Sequence, residues 1–195
     1  MSSIEFDFLH KQIADWRRLV TKCLFLLMFL LMLGMQPAFA GINDDLYDGN
    51  MFVVYAGNGS LVPSKFTLAQ SLAEHKPTVL AFYLDDSKDC KQYAIVISRI
   101  QEFYGRAAEI IPISVDTFLP KKTYEPTEPG YYYSGGVPQI VVFNQSGEVV
   151  FNKKGQVPYE EIDDKLREVF DLLPRTESVQ LKRRSFNEFS SELAK

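Results

Sequence analysis

The sequence is poor in the residues that build redox and metal chemistry: only two of its 195 residues are cysteine, two are histidine and one is tryptophan. Cys23 lies at the start of an N-terminal apolar run, which leaves Cys90 as the single cysteine of the body of the chain. A disulfide framework within one mature chain is therefore excluded. A cysteine-based zinc site needs several ligands at set spacing and is excluded with it. His10 and His75 are far apart, and His75 reads as a surface residue near the end of a helix. No metal or cofactor is expected. Basic excess is missing too: 21 Lys and Arg stand against 25 Asp and Glu, for a net charge of -4. A mildly acidic body has no electrostatic footprint for nucleic acid. No internal repeat is visible. What the chain does have is core-forming residues, 46% hydrophobic against 24% charged, enough at this length for one domain with a real core.

There is one long apolar run, residues 23–35 (CLFLLMFLLMLGM), preceded by Arg17, Arg18 and Lys22 and followed by Pro37 and the small-residue signature Ala38-Phe39-Ala40. That order is n-region, h-region and cleavage site. The run is shorter than the ~20 residues of a spanning helix, which favours a signal peptide cut before Gly41. Leu19 and Val20 lengthen the stretch, so an uncleaved signal anchor spanning within residues 19–40 stays open. Both readings share one orientation. Basic residues precede the run and Asp44, Asp45 and Asp48 follow it, which places the N-terminus in the cytoplasm and the body across the membrane. Ile4, Phe8, Ile13 and Trp16 could form an apolar stripe on a helix at the cytoplasmic surface.

In the exported part, residues 51–56 (MFVVYA) read as a strand ended by the turn Gly57-Asn58-Gly59, and Thr67 with Gln70 has the capping-box pattern of a helix running to about His75. Residues 78–84 (TVLAFYL) have the apolar density of a central strand covered on both faces. Tyr93, Val96, Ile97, Ile100 and Tyr104 mark a helix over residues 88–104, and residues 110–115 form a further strand. Pro120, Pro126 and Pro129 exclude a regular helix from residues 117–136. Residues 139–143 and 148–152 flank Asn144-Gln145-Ser146-Gly147 as a hairpin, and residues 159–172 close the domain as an amphipathic helix with Ile162, Leu166, Val169, Phe170 and Leu173 on its apolar face. After Pro174 the tail is mixed in charge, and Ser185 with Glu188 could cap a last short helix. A parallel start with a hairpin end implies an α/β domain with a mixed sheet flanked by helices.

Two junctions carry a family resemblance. A core strand over residues 79–84 runs directly into a helix through Asp86-Ser87-Lys88-Asp89-Cys90-Lys91, and Gly136-Val137-Pro138-Gln139 enters the hairpin. This arrangement resembles a thioredoxin domain over roughly residues 60–173. In that family the first junction carries Trp-Cys-Gly-Pro-Cys-Lys, the second a cis-proline facing the active site, and Asn144-Gln145-Ser146-Gly147-Glu148 resembles the following turn. Together with the export segment, residues 83–93 and Tyr131-Tyr132-Tyr133-Ser134-Gly135-Gly136-Val137-Pro138-Gln139 are similar to the cyanobacterial thioredoxin-like proteins described as thylakoid membrane photosystem I accumulation factors. The domains implied are a signal peptide or anchor at 1–40, a thioredoxin-like domain at 41–174 and a charged tail at 175–195. The resemblance implies a photosynthetic role at the thylakoid membrane with the domain on the lumenal side.

Against the family pattern, Ser87 holds the attacking position and Cys90 only the resolving one, so the Ser87-Lys88-Asp89-Cys90 site is degenerate. A hydroxyl cannot stand in for an attacking thiolate in disulfide exchange. The family's buried acid falls at Ala81 and its tryptophan at Asp86. Asp85, Asp86 and Asp89 are open to two readings, a cation site or an acidic helix start capped by Asp86 or Ser87. Cys90 reads as a small buried residue, with mixed-disulfide chemistry as the alternative. Pro138, Val137, Tyr131, Tyr132, Tyr133 and Tyr83 are the expected partner-binding residues around a groove that accepts extended peptide. The tyrosines either pack down on the proline-rich segment or form an aromatic rim. The expectation is a noncatalytic factor that binds protein clients, such as photosystem I subunits or assembly factors. Its rivals are a single-cysteine thiol oxidoreductase and a structural subunit of a membrane complex.

Overall fold

The structure is a computed structural model that describes residues 3–34, 41–119 and 121–178, with side chains of the first segment described for residues 16–32. Two compact units divide between Phe39 and Ala40. The first is one helix, α1 (Ser3–Gly34), whose side chains from Leu24 to Met32 are exposed apolar groups. Among the described residues no helix is long and apolar enough to cross a membrane. The Ala38-Phe39-Ala40 signature, the side chains of Ile4, Phe8 and Ile13 and the Ser185 cap lie outside the described residues.

The second unit is built on a four-stranded sheet of order β2-β1-β3-β4, from β1 (Thr78–Tyr83), β2 (Glu109–Ser114), β3 (Gln139–Phe143) and β4 (Val149–Lys154). β1 pairs parallel with β2 and antiparallel with β3, and β3 pairs antiparallel with β4. The parallel pair requires a crossover, supplied by α4 (Lys88–Tyr104), whereas β3 and β4 close as a hairpin over the positive-φ Gly147. Every residue of β1 is buried. Strand alternation then splits the core. Val79, Ala81 and Tyr83 face Phe52, Ile97, Ile100, Ile162 and Leu166, while Leu80 and Phe82 face Leu68, Ile111, Val141 and Phe143.

Two elements depart from the sequence reading. Residues 51–56 are not a strand but a helix, α2 (Met51–Ala56). The Asn50 side chain accepts the N–H groups of Phe52 and Val53, and Gly57 closes the turn at φ 60°. These caps override the strand preference of Val53, Val54 and Tyr55, and the helix buries Met51 and Phe52 on one side. The last helix, α5 (Tyr159–Val169), stops short of residue 172, because Phe170 caps it and Asp171 turns into the left-handed region, so Leu173 is exposed instead of joining the apolar face. The short α3 (Leu68–Ala73) opens with the expected capping box of Thr67 and Gln70. Among the described residues, the stretch 115–136 contains single turns of tight helix at Val115–Thr117 and Pro129–Tyr131 and no longer element.

Candidate functional site

β1 delivers the chain through Leu84, Asp85 and Asp86 to the head of α4, where Ser87 is the N-cap. Its Oγ accepts the Cys90 N–H at 3.4 Å and its carbonyl accepts the Lys91 N–H at 2.9 Å. The residue at the attacking position of a thioredoxin is thereby committed to holding the helix start. Cys90, one turn on, is fully buried among Met51, Phe52, Tyr83 and Ala94. Burial pushes its thiol up, and Asp89 and Asp85 add to that, outweighing the hydrogen bonds from the Leu84 backbone and Ser87. A buried thiol beside carboxylates is held in its unreactive protonated form. Ala81, at the place of the family's buried acid, is packed in the same cluster.

Two of the three acidic residues at this corner, Asp85 and Asp89, are held by separate protein partners. Asp85 accepts the Met51 N–H at 2.7 Å, and Asp89 accepts from Gln156 at 3.2 Å. Among the described residues no group of three or more His, Cys, Asp or Glu side chains could hold a metal ion.

The Val137–Pro138 bond is cis. Pro138 is buried and its carbonyl accepts the Gly155 N–H at 2.7 Å, while Val137 is half-buried. Among the described residues the N–H and C=O of Val137 have no hydrogen-bond partner. The three tyrosines next to it take different roles. Tyr132 stands edge-on to Phe143, with ring centres 4.8 Å apart, and its hydroxyl donates to the Pro126 carbonyl. Tyr133 packs on Phe82 and Phe118 at 5.5 Å. Tyr131 is 55% exposed and leans on Tyr132. Tyr83 does not join them. Its position in β1 turns it to the other face of the sheet, where it is buried edge-on to Phe52; burial, reinforced by Asp85, pushes its hydroxyl up to about 12.

Two residues that sequence reasoning passed over organise this region. Gln139 is completely buried: its Oε1 accepts the Ser134 N–H and hydroxyl, and its Nε2 donates to the Tyr132 carbonyl and to Asn152 Oδ1. It stitches the tyrosine segment to the sheet. A glutamine right after the proline gave no signal beyond sitting first in an apolar strand. Lys91 is equally buried, although a lysine on a helix ordinarily reads as solvated. Its Nζ lies 2.5 Å from Leu46 O, 2.7 Å from Asp48 Oδ2, 3.2 Å from Asp44 Oδ1 and 3.3 Å from Gly41 O. Burial opposes its charge, but Asp48 and Asp44 outweigh burial and hold the ammonium above its usual range. Asp48, hydrogen-bonded to Lys91 and to the Tyr55 hydroxyl, is held below the usual carboxylate range.

No family model matches the sequence. Among solved structures, the germline-specific thioredoxin Deadhead of Drosophila melanogaster is similar at 22% identity over 49% of this chain and 83% of that one, with a TM-score of 0.39. The exposed lipoprotein thioredoxin Etrx1 of Streptococcus pneumoniae is similar at 13% identity over 52% of this chain and 90% of its own, with a TM-score of 0.40. The thylakoid membrane protein slr1796 of the cyanobacterium Synechocystis sp. is 58% identical over 156 residues, which cover 80% of this chain and 78% of that protein. The chain belongs to the family of that thylakoid membrane protein.

Proposed function

We propose that this protein is a noncatalytic, thioredoxin-like biogenesis factor of the thylakoid membrane that binds protein clients on the lumenal side and supports photosystem I accumulation. The observation that carries the reading is the state of the degenerate site: Ser87 is used as a helix cap and the Cys90 thiol is buried, while Val137 beside cis-Pro138 keeps an N–H and a C=O without partners among the described residues. An extended client segment pairs with such a backbone through main-chain hydrogen bonds. Exposed Tyr131, six residues upstream, offers an aromatic contact of low entropy cost. The thylakoid location is supported by the Synechocystis relative, and the photosystem I role by the resemblance of residues 83–93 and 131–139 to the accumulation-factor type. Lumenal orientation is supported by Arg17, Arg18 and Lys22 ahead of the apolar run.

The test compares two variants in a photosynthetic host. Cys90→Ser leaves photosystem I levels near normal, whereas Tyr131→Ala lowers them without changing the melting curve, since Tyr131 alone of the three tyrosines is exposed. Loss of photosystem I in Cys90→Ser with a silent Tyr131→Ala would replace client binding with a thiol mechanism. A reporter fused after Lys195 reads the topology directly; cytoplasmic exposure of that reporter would overturn the lumenal placement.

A further inference from the structure

Residues 41–50 run across the head of α4 and are attached to it almost wholly by polar groups. Besides the five oxygens around Lys91, the Asp44 carbonyl among them at 3.4 Å, Asp45 Oδ1 accepts the Lys88 N–H at 3.0 Å and Asn43 Oδ1 accepts from Gln92 at 3.0 Å. Gln92 in turn accepts from Gln156, which lies one residue after Gly155, the donor to the Pro138 carbonyl, so the strap reaches the neighbourhood of the cis-proline through two amide side chains. The apolar side chains of the strap make no comparable anchor: Ile42 is 42% exposed, Leu46 62% and Tyr47 74%.

That imbalance sets how firmly the strap is held. Apolar burial has no counterpart to recover in water, but a buried ion pair regains the hydration of both ions when it opens, so its net hold is small despite short distances. A segment fixed by ionic and amide contacts alone belongs to the low-stability end of a domain and opens before the core does. Opening leaves behind the Lys91 ammonium, the Lys88 N–H at the positive end of a 17-residue helix, and the Gln92 amide. All three favour the same ligand, a chain of carbonyls interspersed with carboxylates.

We propose that residues 41–48 are a displaceable internal ligand, and that the surface beneath them is a docking platform for an acidic, extended segment of a partner protein. The partner chemistry is written in the strap itself, where Asp44, Asp45 and Asp48 occupy the donor positions. This deepens the client-binding reading by naming the chemistry of the segment bound next to the groove. Its failure is separable, because it is read in vitro at the strap and not at Tyr131.

The experiment uses the full chain and a synthetic peptide of the strap sequence, GINDDLYDGN, with GINNNLYNGN as the neutral control. The loosening variant is Asn43→Ala with Asp45→Ala, which removes both acceptors and spares Asp44 and Asp48 so that Lys91 keeps its partners. In wild type, hydrogen exchange of residues 42–48 is expected to run faster than that of β1. The loosened variant is expected to exchange there roughly tenfold faster still, as befits loss of a hydrogen bond to a helix-terminal N–H. It is expected to bind the acidic peptide roughly tenfold more tightly than wild type, with affinity falling as salt is raised, and not to bind the neutral one. Lys91→Met, checked for folding by circular dichroism, is expected to abolish binding; should it not fold, the neutral peptide carries the same control. The proposal is overturned if residues 42–48 exchange only at the global unfolding rate, if the opened strap leaves the acidic peptide unbound, or if the neutral peptide binds equally well.

Discussion

Replacing Gln139 by leucine, close in volume but without polar atoms, should uncouple the tyrosine segment from the sheet. The native side chain makes four hydrogen bonds, two accepted from Ser134 and one donated to each of Tyr132 and Asn152. At ~1 kcal/mol net apiece their loss would cost about 4 kcal/mol. Ser134 and Asn152 are exposed and regain water, whereas the Tyr132 carbonyl lies in a half-buried segment. The expected cost is therefore about 2–3 kcal/mol, and in a domain of this size the melting temperature falls by roughly 5–10 °C. Calorimetry reads the total. Hydrogen exchange locates it: amides of residues 131–136 lose protection while β1 keeps its own relative to the lowered global stability. A uniform loss over the whole sheet would refute the reasoning, since it would make Gln139 a general core residue and not the stitch between segment and strand. So would an unchanged melting temperature.

Other expectations are checked more simply. Asp163 is opposed by burial, but hydrogen bonds from Tyr104, Arg167 and Tyr159 outweigh burial and hold it below its usual 3.8. Its contribution is therefore present above pH 3.8 and lost as pH falls through the lower folded value, and Asp163→Asn should remove that part of the acid dependence along with ~2 kcal/mol at neutral pH. Ser87→Ala should cost about 1 kcal/mol by uncapping α4, measured by urea denaturation, and should not expose Cys90. In a Cys23→Ser background, Ellman's reagent should modify Cys90 on the order of 100-fold more slowly than the unfolded chain, because a buried thiol reacts only through opening; comparable rates would contradict its burial.

Much of the fold is legible where one residue pattern has one physical solution. Five consecutive apolar residues that end in Tyr83 fit a strand covered on both faces, and the 3.6-residue spacing from Tyr93 to Tyr104 fits the helix that follows. Residues 51–56 defeat the same logic, because six residues are too few for periodicity to arbitrate and the deciding groups, Asn50 and Gly57, lie outside the run. At the site, the absence of a second cysteine beside Cys90 is plain from Ser87, but the sorting of the tyrosines is not. Which ring packs and which protrudes depends on a segment without regular dihedrals, folded against Phe82, Phe118 and Phe143 from distant parts of the chain. Tyr83 was legible in principle, since alternation along β1 separates it from Phe82 and so from Tyr133. Lys91 was not: its burial is created by residues more than forty positions upstream.

Strand β1 is paired on both edges and buried along its whole length, and the degenerate site hangs from its last residue. Its end is thus a fixed point from which neither backbone direction nor side-chain register can drift without disrupting both halves of the core. The two coverings of that point, residues 41–50 and 127–136, come from opposite directions in the chain and share no element of the sheet. Each can accumulate substitutions without re-registering a strand. If these segments do bind clients as proposed, what the domain recognises is set by two short surface stretches and can change while the framework that positions them stays untouched.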